Sequence, residues 1–375
     1  MTRAARRQVA GRLAGQLIAQ SVARFVARSV ARSVTRPVAL AAASSSAAAA
    51  PVRAVMVVAG LAAAAALAPT PAHAGADGAG FQFDVIGHPF KNGADESLLK
   101  HAIAGAMQSN PAFIVATGIK AANEPCSDKL YAARHALLDE TAVPVVVSLA
   151  GSDWAGCLNS AGRSNAIDRL NRLRELYFGA PESLGAKRLP LTRLSSSAKF
   201  RSYAENSHWE YGKVLFATIN MPANNNHFRP EAGRNSEYED RMVANRAWLH
   251  RLFSLAARQK MHGVVLFSDG AVGLQVEEGF SLLPRFESKQ DGFAEPRRQI
   301  KTLAGKFKGK VLLVDTQSAG AGKIEPVIDW RGNVGHVSVA AEWAEVRVNP
   351  DTATLFSIKG GGAETTAEDD ARRRP

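Results

Sequence analysis

Val143-Pro-Val-Val-Val-Ser-Leu-Ala-Gly-Ser-Asp-Trp-Ala-Gly-Cys157 is the stretch from which the rest of this chain can be read. A continuous β-branched run of this kind belongs to a strand buried on both faces, as in a parallel sheet. The run empties into a loop of small residues that holds one carboxylate, Asp153, and one thiol, Cys157. Open α/β sheets bind their ligands at the carboxyl ends of such strands. The loop therefore sits at a functional position, although it carries few polar side chains.

The same pattern extends outward on both sides. Residues 81–86, 112–116, 143–149, 214–220, 263–268 and 310–314 are apolar runs of strand length. Between them, helical spacing covers 95–108, with Leu98, Leu99, Ala102, Ile103, Ala106 and Met107 on one face. It recurs at 127–139, around Ile167, Leu170 and Tyr177, and at 241–259, where Trp248, Leu249, Leu252 and Phe253 share a face. Val337–Ile358 reads as two antiparallel strands around Asn349-Pro-Asp351. Alternating β and α units predict one layered α/β domain over 80–358, with both sheet faces covered. Residues 359–375, rich in Gly, Glu and Arg, are expected to form a disordered tail.

The formal charge of +12 is concentrated in the leader. The first 74 residues hold nine Arg and no Lys, Asp or Glu, leaving 37 basic against 34 acidic residues beyond them. A body so nearly balanced, without a dense basic run, argues against nucleic-acid binding. Residues 53–74 read as a signal peptide. Arg53 flanks the apolar core Ala54–Ala68, and Ala72-His73-Ala74 supplies a small-x-small cleavage site. Fifteen helical residues span about 22 Å, short of the roughly 30 Å hydrocarbon core, so no stable membrane span is expected after cleavage. Residues 1–52 form an Arg/Ala/Ser-rich leader with Arg24, Arg28, Arg32 and Arg36 at four-residue spacing. They read as an overlong amino-terminal region or an untranslated start. The expected location is periplasmic or extracellular. There the two cysteines, Cys126 and Cys157, are expected to form a disulfide, the alternative being two unpaired thiols.

The predicted strand ends are Gly87-His88, Gly118-Ile-Lys120, Ala150-Gly-Ser-Asp153, Asn220, Ser268-Asp269 and Asp315-Thr-Gln317. With these in place the chain resembles the calcineurin-like metallophosphoesterases, in an exported bacterial branch. The resemblance is carried by FDVIGHPF (83–90), ATGIKAANEPCSD (116–128), VPVVVSLAGSDWAGC (143–157), RLNRLRELYFG (169–179), AENSHWEYGKVLFATINMPANNN (204–226) and ANRAWLHRLF (244–253). It continues weakly through KVLLVDTQ (310–317). It implies a four-layer αββα sandwich in a single domain, with a two-metal site at the strand ends. Such a site clamps the attacking hydroxide and the phosphate oxygens between two cations.

The resemblance also implies a ligand set, and this chain departs from it at each loop. The family carries Asp in the first loop, where this chain has Gly87-His88-Pro89. It carries Gly-Asp in the second, where Thr117-Gly-Ile-Lys120 stands, and Gly-Asn-His/Asp/Glu in the third, where Ala150-Gly-Ser-Asp153 stands. The family's fourth-loop His is absent from Phe267-Ser-Asp-Gly-Ala271, and both histidines of its fifth loop are absent from Val314-Asp-Thr-Gln-Ser318.

Two function classes follow. The first is a pseudoenzyme, a phosphoesterase frame kept for binding or structure, with no cofactor expected and no assignable catalytic residue. The second is an active metal-dependent phosphoesterase with a rebuilt site of His88, Asp153, Asn220, Asp269 and Asp315 around a divalent metal such as Mn or Zn. An anionic or phosphorylated ligand held by Lys120, Arg193 and Arg201 is a further reading. Nucleophilic catalysis has little support, because Ser152 and Ser268 have no histidine at a recognisable spacing.

Overall fold

The structure, a computed structural model, describes residues 80–90, 96–229, 235–273, 291–316, 325–339 and 343–361. The chain divides into two units, Met1–Ala68 and Pro69–Pro375, and all described residues belong to the second. The leader, the signal-peptide reading and the tail beyond residue 361 therefore lie outside the described residues.

Two sheets are built from alternating side chains. The first has the order β12-β11-β1-β2-β3. In it, β1 (Phe81–Ile86), β2 (Ile114–Thr117) and β3 (Val145–Ser148) are parallel, while β11 (Trp343–Val348) and β12 (Phe356–Gly360) run antiparallel to their neighbours. The second has the order β4-β5-β6-β7-β8-β10-β9. Its centre is the parallel set β6 (Val214–Thr218), β7 (Gly263–Phe267), β8 (Lys310–Asp315) and β10 (Val334–Ser338). Its edges are β4 (Thr192–Arg193), β5 (Ser207–Tyr211) and β9 (Asp329–Arg331).

Successive residues of these strands serve different layers, because strand side chains alternate between faces. Phe83, Val85, Val115 and Val146 of the first sheet pack against Phe216, Val265, Phe267, Leu312 and Val314 of the second. The intervening Ile114, Ala116, Val145 and Val147 meet α1 (Glu96–Gln108), α2 (Asp128–Asp139) and α3 (Ala166–Tyr177). On the other side Leu215, Ala217, Val264, Leu266, Val311 and Leu313 meet α4 (Ser236–Arg258) and α5 (Ala294–Ala304). The result is the αββα four-layer sandwich expected from the sequence. It also explains why β2, β3, β6, β7 and β8 are apolar at nearly every position: both faces of these strands are covered.

Two expectations are corrected. Val337 does not open the terminal antiparallel pair; it lies in β10, parallel to β8 in the second sheet, and the hairpin begins at Trp343. The last strand extends to Gly360, beyond the boundary drawn at 358. The strand of the opening segment, β3, is an edge strand, yet it is covered. Val145 exchanges backbone hydrogen bonds of 2.8 and 2.9 Å with Leu184, which seals an edge that would otherwise invite pairing.

Candidate functional site

The carboxyl ends of the parallel strands in both sheets face a cleft of about 320 Å³. Its lining includes His88 and Phe90 after β1, Gly151 and Ser152 after β3, Asn224 after β6, Asp269 after β7 and Thr316 after β8. The cleft thus stands at the carboxyl ends of doubly covered parallel strands, where such sheets bind ligands.

Asp153 organises one wall. Its carboxylate is fully buried and accepts from three backbone N–H groups: Ile119 at 2.9 Å, Lys120 at 3.2 Å and Ala150 at 2.7 Å. The bond to Ala150 caps the short helical turn Gly151–Trp154, and those to Ile119 and Lys120 tie that turn to the loop after β2. Burial pushes the Asp153 carboxyl up, against the pull of His88 and of the N–H groups. Tyr131 donates its hydroxyl to the Asp153 carbonyl at 2.7 Å. Cys126 and Cys157 form the expected disulfide, with Cα atoms 5.9 Å apart, and fasten the end of the turn to the approach to α2.

Lys120 does not offer its charge to the cleft. Its buried ammonium donates to the carbonyls of Ala121 at 2.7 Å and Ser152 at 2.8 Å, and desolvation lowers its pKa. Arg193 is spent in the same way, on the carbonyls of Ala180, Glu182 and Ala204. Two of the three cations expected to hold an anion therefore brace the backbone.

Asp269 joins the two sheets. One carboxylate oxygen accepts from Gly151 N at 2.7 Å and Ala223 N at 2.8 Å; the other accepts from the Thr316 hydroxyl at 3.0 Å. Asp315 turns elsewhere, toward His336 Nε2 at 2.6 Å and the Ser338 hydroxyl at 2.7 Å. Asn220 lies in a buried polar network. Its Nδ2 donates to Glu205 at 3.1 Å, and its carbonyl accepts from Arg241 at 3.1 Å and Asn245 at 3.0 Å. Of the five residues of the rebuilt-site reading, His88 and Asp269 line the same cleft, whereas Asp153, Asn220 and Asp315 are absent from its lining. Among the described residues no group of three or more His, Cys, Asp or Glu side chains could hold a metal ion.

His88 is buried, and its Nε2 lies 3.0 Å from the Ser152 hydroxyl and 3.2 Å from the Lys120 carbonyl. A Ser–His contact therefore exists at the cleft, contrary to the expectation from spacing. Gly118 makes it fit: at φ +76°, an added Cβ would stand 2.2 Å from the His88 ring.

The segment that follows the cleft residues Ala223 and Asn224 carries backbone strain. Asn225, Asn226 and His227 all have left-handed φ, at 52°, 54° and 55°. Such conformations persist only where surrounding structure enforces them. Arg241 does so from α4, donating to the Asn226 side chain at 2.5 Å and its carbonyl at 2.8 Å. Gly292 exchanges bonds of 2.9 Å with the side chains of Asn225 and Asn226. His227 Nδ1 meets Glu237 at 2.9 Å, and its ring stands edge-on to Trp154 at 4.8 Å. Burial would raise the Glu237 carboxyl, but Arg241 and His227 outweigh it and bring the pKa down to about 2. Sequence reading missed this brace, although Glu237 and Arg241 stand four apart on a helix, the spacing of an ion pair.

The architecture is that of a doubly covered β-sandwich with a ligand-sized cleft at its strand ends. No family model matches the chain, and no curated protein matches it. Among solved structures, that of PhoD is similar with a TM-score of 0.44 and 11% identity, over 75% of this chain and 66% of that one. The chain thus spans just under two thirds of that protein. A phosphatase from Mycoplasma pneumoniae is similar with a TM-score of 0.38 and 8% identity, over 77% of this chain and 97% of that one.

Proposed function

We propose that this chain is an exported phosphoesterase-fold protein without the dinuclear metal site or phosphatase activity, acting as a binding or structural pseudoenzyme. The observation that carries the reading is how the remaining acids are bonded. Asp153 accepts from three backbone N–H groups, Asp269 from two and a hydroxyl, and Asp315 meets an imidazole and a hydroxyl. A pair of divalent cations needs several carboxylates and imidazoles with free lone pairs, one of them bridging. This donor set does not fit such a pair, because Asp153 and Asp269 would have to abandon buried backbone donors, and Asp315 its imidazole and hydroxyl partners, to turn toward a metal. What the cleft retains is Ser152, Asn224 and Thr316 beside the apolar Phe90, the mixed lining of a site that orients a small ligand.

The test is metal content and turnover in purified mature protein. After incubation with Mn or Zn and dialysis, elemental analysis should find well under one metal per chain, and an aryl phosphate should not be hydrolysed. Stoichiometric metal, with hydrolysis abolished by Asp269→Asn, would overturn the reading in favour of the rebuilt site. Export is tested separately: protein recovered from the periplasm or medium should begin at Gly75 and resist alkylation until it is reduced. Among the described residues no helix is long and apolar enough to cross a membrane.

A further inference from the structure

At the amino ends of β7 and β8 a second concavity of about 740 Å³ opens between three loops. They are the turn after α4, the turn after α5 and the β11–β12 connection. Its floor is apolar, with Met261, Phe307 and Leu355 each under a tenth exposed. Its wall carries Lys260, Lys306, Lys308 and Lys310, and no Asp or Glu lines it. Among the described residues none of the four makes an ion pair; Lys310 lies over the Trp330 ring at 5.2 Å.

Helix capping does not account for these cations. Lysines near a helix carboxyl end ordinarily complement its dipole and its unbonded carbonyls. Here other donors take those carbonyls. Met261 N reaches Ala256 O at 2.9 Å, and Lys260 N reaches Ala257 O at 3.3 Å. Phe307 N reaches Ala304 O at 3.1 Å, and one Asn333 amide serves the carbonyls of Ala304, Phe307 and Gly309 at 2.9–3.1 Å. The four ammonium groups stand without carboxylate partners around an apolar floor. Such a lining complements an anion with an apolar body.

We infer that this groove is a binding site for a free, single-chain amphipathic anion, such as an alkyl phosphate. Its chain lies on Met261, Phe307 and Leu355, and its head group is held by Lys306 and Lys308 with Lys260 and Lys310. The volume falls in the roughly 300–1,000 Å³ range of small-molecule sites. The site lies at the end of the strands opposite the cleft, and the inference is independent of the function proposed there.

The experiment is calorimetric titration of the mature protein with dodecyl phosphate below its critical micelle concentration. One equivalent should bind saturably, more tightly than inorganic phosphate or neutral dodecyl maltoside. The Lys306→Gln/Lys308→Gln variant should bind at least tenfold more weakly, whereas Lys129→Gln, which removes an exposed cation on α2, should bind normally. Equal affinity in the double variant and the unaltered protein would overturn the inference. So would phosphate binding as tightly as its alkyl ester, absence of saturable binding, or binding to phosphatidylglycerol vesicles without binding to the monomer. Because both lysines are exposed, the variant should keep its fold, verified by an unchanged unfolding midpoint.

Discussion

The two ends of the sandwich use charge in opposite ways. At the carboxyl ends of the strands the ionisable groups are consumed by the chain itself: Asp153 and Asp269 accept backbone N–H groups, and Lys120 donates to backbone carbonyls. At the amino ends four lysines stand without carboxylate partners while neutral donors satisfy the nearby carbonyls. A charge enclosed by its own backbone stabilises a loop, because removing it leaves buried donors unpaired. A charge with no partner contributes little to the fold and remains free to meet a ligand.

The contrast is tested most severely at Asp153. Asp153→Ala strands three buried N–H groups and should destabilise the protein by about 3–5 kcal/mol in urea unfolding. A loss under about 1 kcal/mol would mean that the loops hold their shape without the carboxylate. Next in size is the staple beside it. Replacing both Cys126 and Cys157 with Ser should cost about 3 kcal/mol, since the bridge closes a loop of roughly 30 residues. The same shift should follow reduction of the unaltered protein, read as a lower thermal midpoint.

Asp84 separates burial from bonding. It is as buried as Asp153, but it accepts only the Ser109 hydroxyl at 3.0 Å, and its second oxygen has no partner. Desolvation, aided by Glu345 opposite it on β11, outweighs that one hydrogen bond and pushes its pKa up to about 7. A raised acid favours the folded state while protonated. Its contribution is complete below the ordinary value near 4 and is lost as pH rises through about 7. Asp84→Asn should flatten stability between pH 4 and 7. At pH 8 the variant should be the more stable by about 2 kcal/mol, since a buried amide returns part of an upper limit near 4. Urea midpoints across pH check the sign; a variant less stable at pH 8 would refute it. The smallest effect belongs to the groove. Lys306→Gln/Lys308→Gln should move stability by no more than about 0.5 kcal/mol while weakening dodecyl phosphate binding at least tenfold.

Legibility followed the length of the apolar pattern. β1, α1, α2 and the cores of β6, β7 and β8 are readable because each buries a continuous run or a full helical face. α5 was not, having only Pro296, Ile300 and Ala304 buried among charged neighbours. The two-residue β4 and three-residue β9 carry too few side chains to show a period. In the cleft, Asp153 and Asp269 were visible as carboxylates at strand ends. Their partners were not: Asp153 bonds residues 33 and 34 positions away, and Gly151 reaches Asp269 across 118. The Ser152–His88 contact spans 64 residues, and no local pattern encodes such a meeting.

The sequence by itself determined the layered alternation and placed His88, Asp153, Asp269 and Asp315 at strand ends, because burial on two faces writes itself into every residue of a strand. It also supplied the two cysteines of the bridge. Only the tertiary structure decided how each charged group is used. A carboxylate has the same formula whether it faces a ligand or three backbone N–H groups, and those donors come from loops distant in the chain. The segment Val143–Cys157 therefore marked where to look, and packing across the two sheets determined that Asp153 holds the loops together.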